Sequence, residues 1–257
     1  LFPYTTLFRS LLGNVFHGVL QRIYGVPGGV VDLGLLHRRR KDKAGIRNLI
    51  DECIKKELRT VEVSGRDLVT REVIFKYVMD VLKADCDYLA AHGSSSLRIL
   101  GLEKKVTGSI GGFPFKGFID RLDSVAPGMV RIVDYKTGRV SDAERCVTDA
   151  SAGQTVDKLF GPGRNDRPKI ALQVYIYDTL MRPLLREGEG LVNSVYSVSH
   201  LPKDGVLDVP VSPVFSAMME EKLAGLLGEI ADTSVPFMRT GDRQTCAWCD
   251  FKILCGR

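Results

Sequence analysis

The sequence lacks any run of about 18 uncharged apolar residues, so neither a membrane-spanning helix nor a membrane partner is expected. It also lacks the basic, apolar and small-residue regions of a signal peptide, so the expected location is the cytoplasm. Cysteine is scarce, because six residues in 257 are too few for a disulfide scaffold. Neither sign of charge dominates, and the formal net charge of +5 suits a polyanionic partner without requiring one.

What is present is the composition of an ordinary globular protein, with 44% hydrophobic and 26% charged residues. Its length allows one large domain or two small ones. The first ten residues, LFPYTTLFRS, read like the conceptual translation of a sequencing-library adapter. We therefore treat residues 1–10 as an artefact and expect the natural N-terminus to be missing.

The most informative stretch is 117–138, GFIDRLDSVAPGMVRIVDYKTG. Two β-branched runs flank a Pro-Gly pair, which predicts a β-hairpin. Asp120 lies on the first strand, and Asp134 and Lys136 share one face of the second with Ile132, because side chains alternate along a strand. Two carboxylates and a lysine in the middle of a hairpin are costly to bury unless a ligand such as a divalent metal binds them. A solvated hairpin with a charged face is the open alternative.

The pattern G-x-I-D-R-x-D, followed by a short hairpin and I-V-D-Y-K-T-G, resembles the PD-(D/E)XK nucleases. The similarity is to the branch that contains the nuclease domains of RecB and AddB. The resemblance covers residues 11–257 and implies one domain with an α/β restriction-endonuclease-like fold. That fold has a mixed β-sheet flanked by helices and a helical N-terminal part.

The resemblance also implies an activity, namely metal-dependent hydrolysis of phosphodiester bonds in DNA during repair or recombination end processing. Mg²⁺ or Mn²⁺ is the implied cofactor. DNA is the implied partner, and a helicase subunit or domain is a further candidate partner. A catalytically silent DNA-end-binding module of a helicase–nuclease complex is the alternative within the same family.

Two motifs outside the hairpin occur in the order that the family shows. Apolar spacing predicts a helix over 11–24, in which Gly13 and His17 match the form G-x-x-x-H. A second helix, predicted over 168–181, carries the pattern Q-x-x-x-Y, whose two residues share a face. Taken alone, each motif also occurs on ordinary helix surfaces, so that alternative stays open.

The resemblance assigns roles to these residues and to Glu103 in the strand before the hairpin. The implied metal ligands are His17, Asp120, Asp134, the backbone carbonyl of Tyr135 and, as a further candidate, Glu103. The implied catalytic and substrate-positioning residues are Asp120, Asp134, Lys136, Gln173 and Tyr177. Lys136 is implied to orient or activate a water molecule and to stabilise developing charge.

The segment 240–257 contains three of the six cysteines, Cys246, Cys249 and Cys255, in the pattern C-x2-C-x5-C. Such density indicates metal binding more than disulfides, and thiolates suit either zinc or an iron–sulfur cluster. The resemblance implies a 4Fe-4S cluster whose fourth cysteine would have been lost with the N-terminus. Buried free cysteines and a zinc-ribbon interaction protein are the open alternatives.

The remaining periodicity predicts helices over 43–58, 66–91 and 213–230 and strands over 97–110 and 191–198. The polar, glycine-rich stretch 141–167 is expected to be a structureless connection. Five apolar residues of the last helix are expected to form a core stripe: Phe215, Met219, Leu223, Leu226 and Ile230.

Overall fold

The structure is a computed structural model. It describes residues 3–25, 27–138, 140, 141, 144, 147–161, 167–236, 238–247 and 249–256, without the side chains of residues 3–10 and 244. The strands are β1 (Val30–Asp32), β2 (Ser96–Ile110), β3 (Phe113–Ser124), β4 (Met129–Lys136), β5 (Gly190–Ser197) and β6 (Leu207–Asp208). The main helices are α1 (Pro3–Tyr24), α2 (Leu33–Lys41), α3 (Lys43–Leu58), α4 (Arg66–Ala91), α5 (Asp149–Phe160), α6 (Lys169–Met181), α7 (Leu201–Asp204), α8 (Pro213–Ala231) and α9 (Arg243–Ala247).

Within these ranges, six strands form one sheet in the order β1-β2-β3-β4-β5-β6. Neighbouring strands are antiparallel except β4 and β5, which run parallel. A parallel pair needs a long crossover, and α5 and α6 lie in the chain between those two strands. The predicted α/β fold, with a mixed sheet flanked by helices, is therefore confirmed, and so is the β3–β4 hairpin.

The two faces of the sheet carry separate hydrophobic clusters. On one face α1, α3 and α4 pack against residues that include Val133 and Tyr135 of β4. On the other face α5, α6 and α8 pack against residues that include Ile132. Successive residues of β4 therefore point to opposite faces, as the alternation predicts, and Asp134 follows the α6 face.

Two predictions about local structure are wrong. The stretch 141–167 contains helix α5, whose first turn is closed by a capping box between Thr148 and Ser151. Residues 142, 143, 145, 146 and 162–166 of that stretch lie outside the described residues. Leu226 and Ile230 of the predicted core stripe of α8 are exposed, because the helix packs through Leu223 and Leu227 instead. The glycine-rich region before residue 40 also contains β1 and α2.

A buried network of charged and phenolic groups lies under the hairpin on the α4 face. Arg121 donates to both carboxylate oxygens of Asp85 at 2.9 and 2.8 Å, and Arg131 donates to both oxygens of Asp123 at 2.8 Å. These four side chains are fully buried. The hydroxyl groups of Tyr24 and Tyr196 donate to Asp85. Two cations thus balance two anions in a fully buried region, where a missing partner would be costly.

Because of this network, acid should destabilise the protein through Asp85. Burial opposes the charge of Asp85, but Arg121, Arg131 and the Tyr196 hydroxyl outweigh burial and hold the pKa below its usual value. A lowered pKa gives stability that is present above the unfolded pKa of about 3.9 and is lost as the pH falls through the folded value. Urea unfolding should therefore show stability falling between about pH 5 and pH 3.

The comparison that isolates Asp85 is the difference in free energy of unfolding between the wild type and Asp85→Asn. That difference should shrink as the pH falls, because contributions from other carboxyl groups cancel. The exposed Asp87→Asn serves as the control and should follow the wild type throughout. A difference that does not change with pH would contradict this prediction.

Candidate active site

The two strands of the β3–β4 hairpin separate at the centre of the site. On this side the β3–β4 ladder ends at the pair of Arg121 with Val133. One residue further, the carboxylate of Asp120 takes the place of a backbone acceptor, and its Oδ2 accepts the Tyr135 N–H at 2.8 Å. This hydrogen bond therefore fixes Asp120 against the Asp134-Tyr135-Lys136 segment, and it leaves Oδ1 of Asp120 available for another partner.

That partner is His17 on α1. His17 Nδ1 lies 3.2 Å from Asp120 Oδ1 and 3.8 Å from Glu103 Oε1. Phe16, which is fully buried, anchors this turn of α1 in the core and holds the imidazole at the edge of the Tyr135 ring. Burial opposes protonation of His17, but Asp120 and Glu103 outweigh it and raise the pKa of His17 to about 10.

Glu103 is brought to the cluster by an irregularity in β2. The β2–β3 register shifts between Ile99 and Gly101, so that Glu103 lies opposite Asp120. Its backbone has φ of +46°, an unusual value for a residue with a side chain. Such strain clusters at functional sites.

His17, Glu103 and Asp120 form a group of three candidate metal-ligating residues whose ligand atoms all lie within 4.8 Å of one another. Two carboxylates suit Mg²⁺ or Mn²⁺, which prefer oxygen ligands, and the imidazole nitrogen is a ligand that Mn²⁺ also accepts. Bound there, the cation would lower the pKa of a water molecule and offset negative charge on a phosphate. Asp134 and the Tyr135 carbonyl stay predicted additional ligands.

A chain of hydrogen bonds on the α6 face joins the hairpin to α6. Lys136 Nζ lies 2.6 Å from Asp134 Oδ2 and donates to Gln173 Oε1 at 2.7 Å. The Gln173 amide donates to Asp134 Oδ1 and to the Tyr177 hydroxyl, each at 3.0 Å. Tyr177 in turn donates to the Phe118 carbonyl at 2.7 Å. The four predicted residues of this chain are therefore in contact, and Gln173 orients both the lysine and the carboxylate.

The close approach of Tyr177 to the hairpin depends on Gly117. A Cβ at position 117 would lie 2.6 Å from Cε1 of the Tyr177 ring, which no real contact allows. The glycine that opens the G-x-I-D motif is therefore required by packing of α6 against β3.

The surroundings of Asp134 disfavour the charged form of its carboxyl group. Burial raises its pKa to about 6, and the negative charge of Asp120 adds to that effect, while Lys136 and His17 oppose it. Two carboxylates drawn together in a dry place indicate a site made for a cation. Perturbed acid groups of this kind cluster at functional sites.

Sequence reasoning missed the part of the site that lies behind it. Arg121, the arginine of the G-x-I-D-R-x-D pattern, donates to the Tyr135 hydroxyl at 2.9 Å as well as to Asp85. It thus ties the residue between Asp134 and Lys136 to the buried network. The motif contained the signal, because an arginine inside an apolar strand needs an anionic partner.

The three C-terminal cysteines lie apart in sequence from the residues of the hairpin site. The metal-ligating groups found there do not include Cys246, Cys249 and Cys255, which occupy successive local turns as free thiols. Residues 248 and 257 of this segment lie outside the described residues. Among the described residues these thiols therefore do not form a close metal-ligating group like that of His17, Glu103 and Asp120.

A cavity of about 700 Å³ lies elsewhere, at the end of the hairpin that carries Met129 and Ser124. Its lining contains neither the acidic residues nor the lysine of the site. About five residues of β4 separate Met129 from Asp134, roughly 16 Å of extended strand. The chemistry is therefore placed by the cluster of charged groups and not by the cavity.

Metal binding by the cluster predicts a thermal shift. At a Mn²⁺ concentration about 100 times the Kd, binding to the folded state should raise the Tm by about 5–10 °C. Asp120→Asn should lose most of this increase, since it removes a charged ligand atom beside His17. Asp87→Asn, an exposed site on α4, should keep it. An equal rise in the Asp120 variant would show that the ion binds elsewhere.

Comparison with known proteins agrees with this geometry. Among the described residues no helix is both long and apolar enough to cross a membrane. A search of curated proteins returned no match. The family model described as PD-(D/E)XK nuclease superfamily matches residues 4–256, nearly the whole chain. With its acidic cluster, its Asp-x-Lys strand and a mixed sheet of the kind that fold requires, the chain belongs to the PD-(D/E)XK nuclease superfamily, whose members are in general metal-dependent nucleases.

Proposed function

We propose that the protein is a Mg²⁺- or Mn²⁺-dependent deoxyribonuclease that hydrolyses phosphodiester bonds during DNA repair or recombination end processing. The observation that carries this proposal is the convergence of His17, Glu103 and Asp120 beside the ion-paired Asp134 and Lys136. A silent copy of the fold would have no chemical need to keep both aspartates and the lysine together.

The residues divide the work as follows. His17, Asp120 and Glu103 hold the cation, with Asp134 and the Tyr135 carbonyl as further ligands. Lys136 donates a hydrogen bond from its ammonium group to the attacking water or to the phosphate oxygen. Its positive charge offsets the negative charge that develops there. Gln173 keeps the lysine in that position through its 2.7 Å hydrogen bond, and Tyr177 holds Gln173. Positioning of this kind raises the reaction rate, because the groups need no rearrangement during the reaction.

The direct test is cleavage of end-labelled single- and double-stranded DNA with Mg²⁺ or Mn²⁺, compared with the same reaction in EDTA. Cleavage that requires the metal supports the proposal. DNA binding without cleavage under every metal condition would instead favour the end-binding module. Product analysis with 5′ and 3′ labels on linear and circular DNA distinguishes exonuclease from endonuclease action.

An iron–sulfur cluster at Cys246, Cys249 and Cys255 of the intact protein is a separate proposal, which rests on their spacing together with the resemblance to the RecB and AddB branch. We further propose that the chain belongs to the RecB and AddB branch and that it has a helicase partner. Both proposals rest on the resemblance. Elemental analysis tests the cluster, because iron with acid-labile sulfide would support it and zinc would indicate a ribbon-type site. Protein that has its natural N-terminus restored and is free of both metals would overturn the cluster proposal without affecting the nuclease proposal.

A further inference from the structure

The β2–β3 hairpin extends beyond the site with one face packed and the other open. Its packed residues, which belong to the cluster under α6 and α8, are Val106, Ile110, Phe115 and Ile119. The alternating residues on the opposite face are all exposed: Lys105, Thr107, Ser109, Pro114, Lys116 and Phe118. We call these six residues the open hairpin face. Half of an antiparallel hairpin is therefore left uncovered directly beside the metal-ligating cluster.

On this side of the sheet, the helices that pack against β2 reach only as far as the metal-ligating residues. The β2 residues that pack under α1 and α4 are Leu97, Ile99 and Leu102, and packing of β2 on this side stops there among the described residues. Glu103, with Asp120 opposite, comes next along the strands. The open hairpin face therefore begins where the candidate metal ligands are, and a molecule lying on it would run into them.

Phe118 is the most unusual residue on this surface. Its side chain is 52% exposed, although it lies in the middle of a strand with apolar neighbours in sequence. Its backbone is fixed on both sides, by pairing with Lys105 and by the hydrogen bond from Tyr177 to its carbonyl. A single exposed apolar residue is ordinary. A rigidly mounted, exposed aromatic ring one residue pair away from candidate metal ligands is not explained by packing.

Two lysines flank that ring. Lys105 lies directly across from Phe118, and Lys116 lies two residues before it on the same face of β3. Neither lysine has an ion pair with the residues that the structure describes. Positive charge on both sides of an aromatic ring is the combination that recognises single-stranded nucleic acid, in which phosphates meet cations and an unstacked base meets the ring.

We propose that the open hairpin face binds single-stranded DNA, with one base stacked on Phe118 and the neighbouring phosphates on Lys105 and Lys116. This inference rests on the proposed nuclease function and names the form of its substrate. Only Ile119 lies between Phe118 and Asp120, which are about 7 Å apart along the strand, so the nucleotide after the stacked base reaches the metal ligands. A duplex does not fit the same contact, because its bases are already stacked inside the helix.

The experiment measures binding alone, by fluorescence anisotropy in EDTA, so that no strand is cut. The probes are a labelled single-stranded oligonucleotide and its duplex. Phe118→Ala should weaken binding of the single strand about 5- to 100-fold, and Phe118→Trp should restore it. Lys105→Ala and Lys116→Ala should each lower the slope of log affinity against log salt by about 0.7. Leu184→Ala and Lys222→Ala, exposed residues elsewhere, are the matched controls.

Two results would overturn the inference. One is wild-type affinity of Phe118→Ala for the single strand, and the other is tighter binding of the duplex than of the single strand. Failure of the nuclease proposal looks different, because the binding effects would then be present while wild-type protein with Mn²⁺ leaves DNA intact. Metal-dependent cleavage together with unchanged binding by Phe118→Ala would leave the nuclease proposal standing and remove this one.

Discussion

Replacing Lys136 by alanine should lower metal-dependent DNA cleavage by about 10²–10³-fold, or roughly 3–4 kcal/mol of transition-state stabilisation. Lys136 is the cation of the cluster that is held both by Asp134 and by Gln173, so its charge is fixed where the phosphate must react. A fixed charge of this kind acts on developing negative charge without reorganisation. The Lys136 side chain is also mostly buried, so in the alanine variant a water molecule at its place would not supply the missing positive charge.

The measurement is initial cleavage rate at saturating Mn²⁺ for wild type, Lys136→Ala and the exposed control Lys222→Ala. The control should cut at the wild-type rate. Circular dichroism and urea unfolding show whether the variant is folded, and the Mn²⁺ thermal shift shows whether the metal ligands are intact. Wild-type cleavage by folded, metal-binding Lys136→Ala would falsify the assignment of this lysine to the reaction.

Replacing Arg121 by methionine should destabilise the fold by about 3–5 kcal/mol, the range for removing one partner of a buried ion pair. Arg121 reaches Asp85, Asp123 and the Tyr135 hydroxyl from a fully buried position. Without Arg121, a charged Asp85 would lack its main cation in a fully buried position. It would then have to take up a proton or draw water into the core. Because one or two kcal/mol is a large share of the stability of a domain, this variant should unfold at a much lower urea concentration.

Arg98→Met, on the same sheet but exposed, is the control and should change the free energy of unfolding by no more than about 0.5 kcal/mol. The double variant Arg121→Met with Asp85→Leu should be more stable than the sum of the two single losses predicts, because both charges are then absent. Strict additivity would show that Arg121 and Asp85 stabilise the fold independently, against the contacts in the structure.

Local periodicity was sufficient for most of the secondary structure. Helices α3 and α4 and the strands of the hairpin lie where the apolar spacing predicts them, because each buries one regular face. Helix α5 was missed because its segment is short and is surrounded by glycine and polar residues, although its capping box and its apolar residues at 152, 156 and 159 are visible in the sequence. Leu226 of α8 was mistaken for core although its neighbour Leu227 is the residue that packs, because apolar spacing does not show which of two adjacent apolar residues faces the core.

The sequence by itself determined that Asp134 and Lys136 share a face, since alternation along a strand is a property of the backbone. It also contained the family pattern that the match over residues 4–256 bears out. The resemblance named distant candidates for the same site, and only the tertiary structure decided how they contact it. His17, Glu103 and Gln173 reach the hairpin through helix packing and a register shift, and the pairing of Arg121 with Asp85 spans 36 residues. Such contacts depend on how faces pack in three dimensions, and no local spacing encodes them.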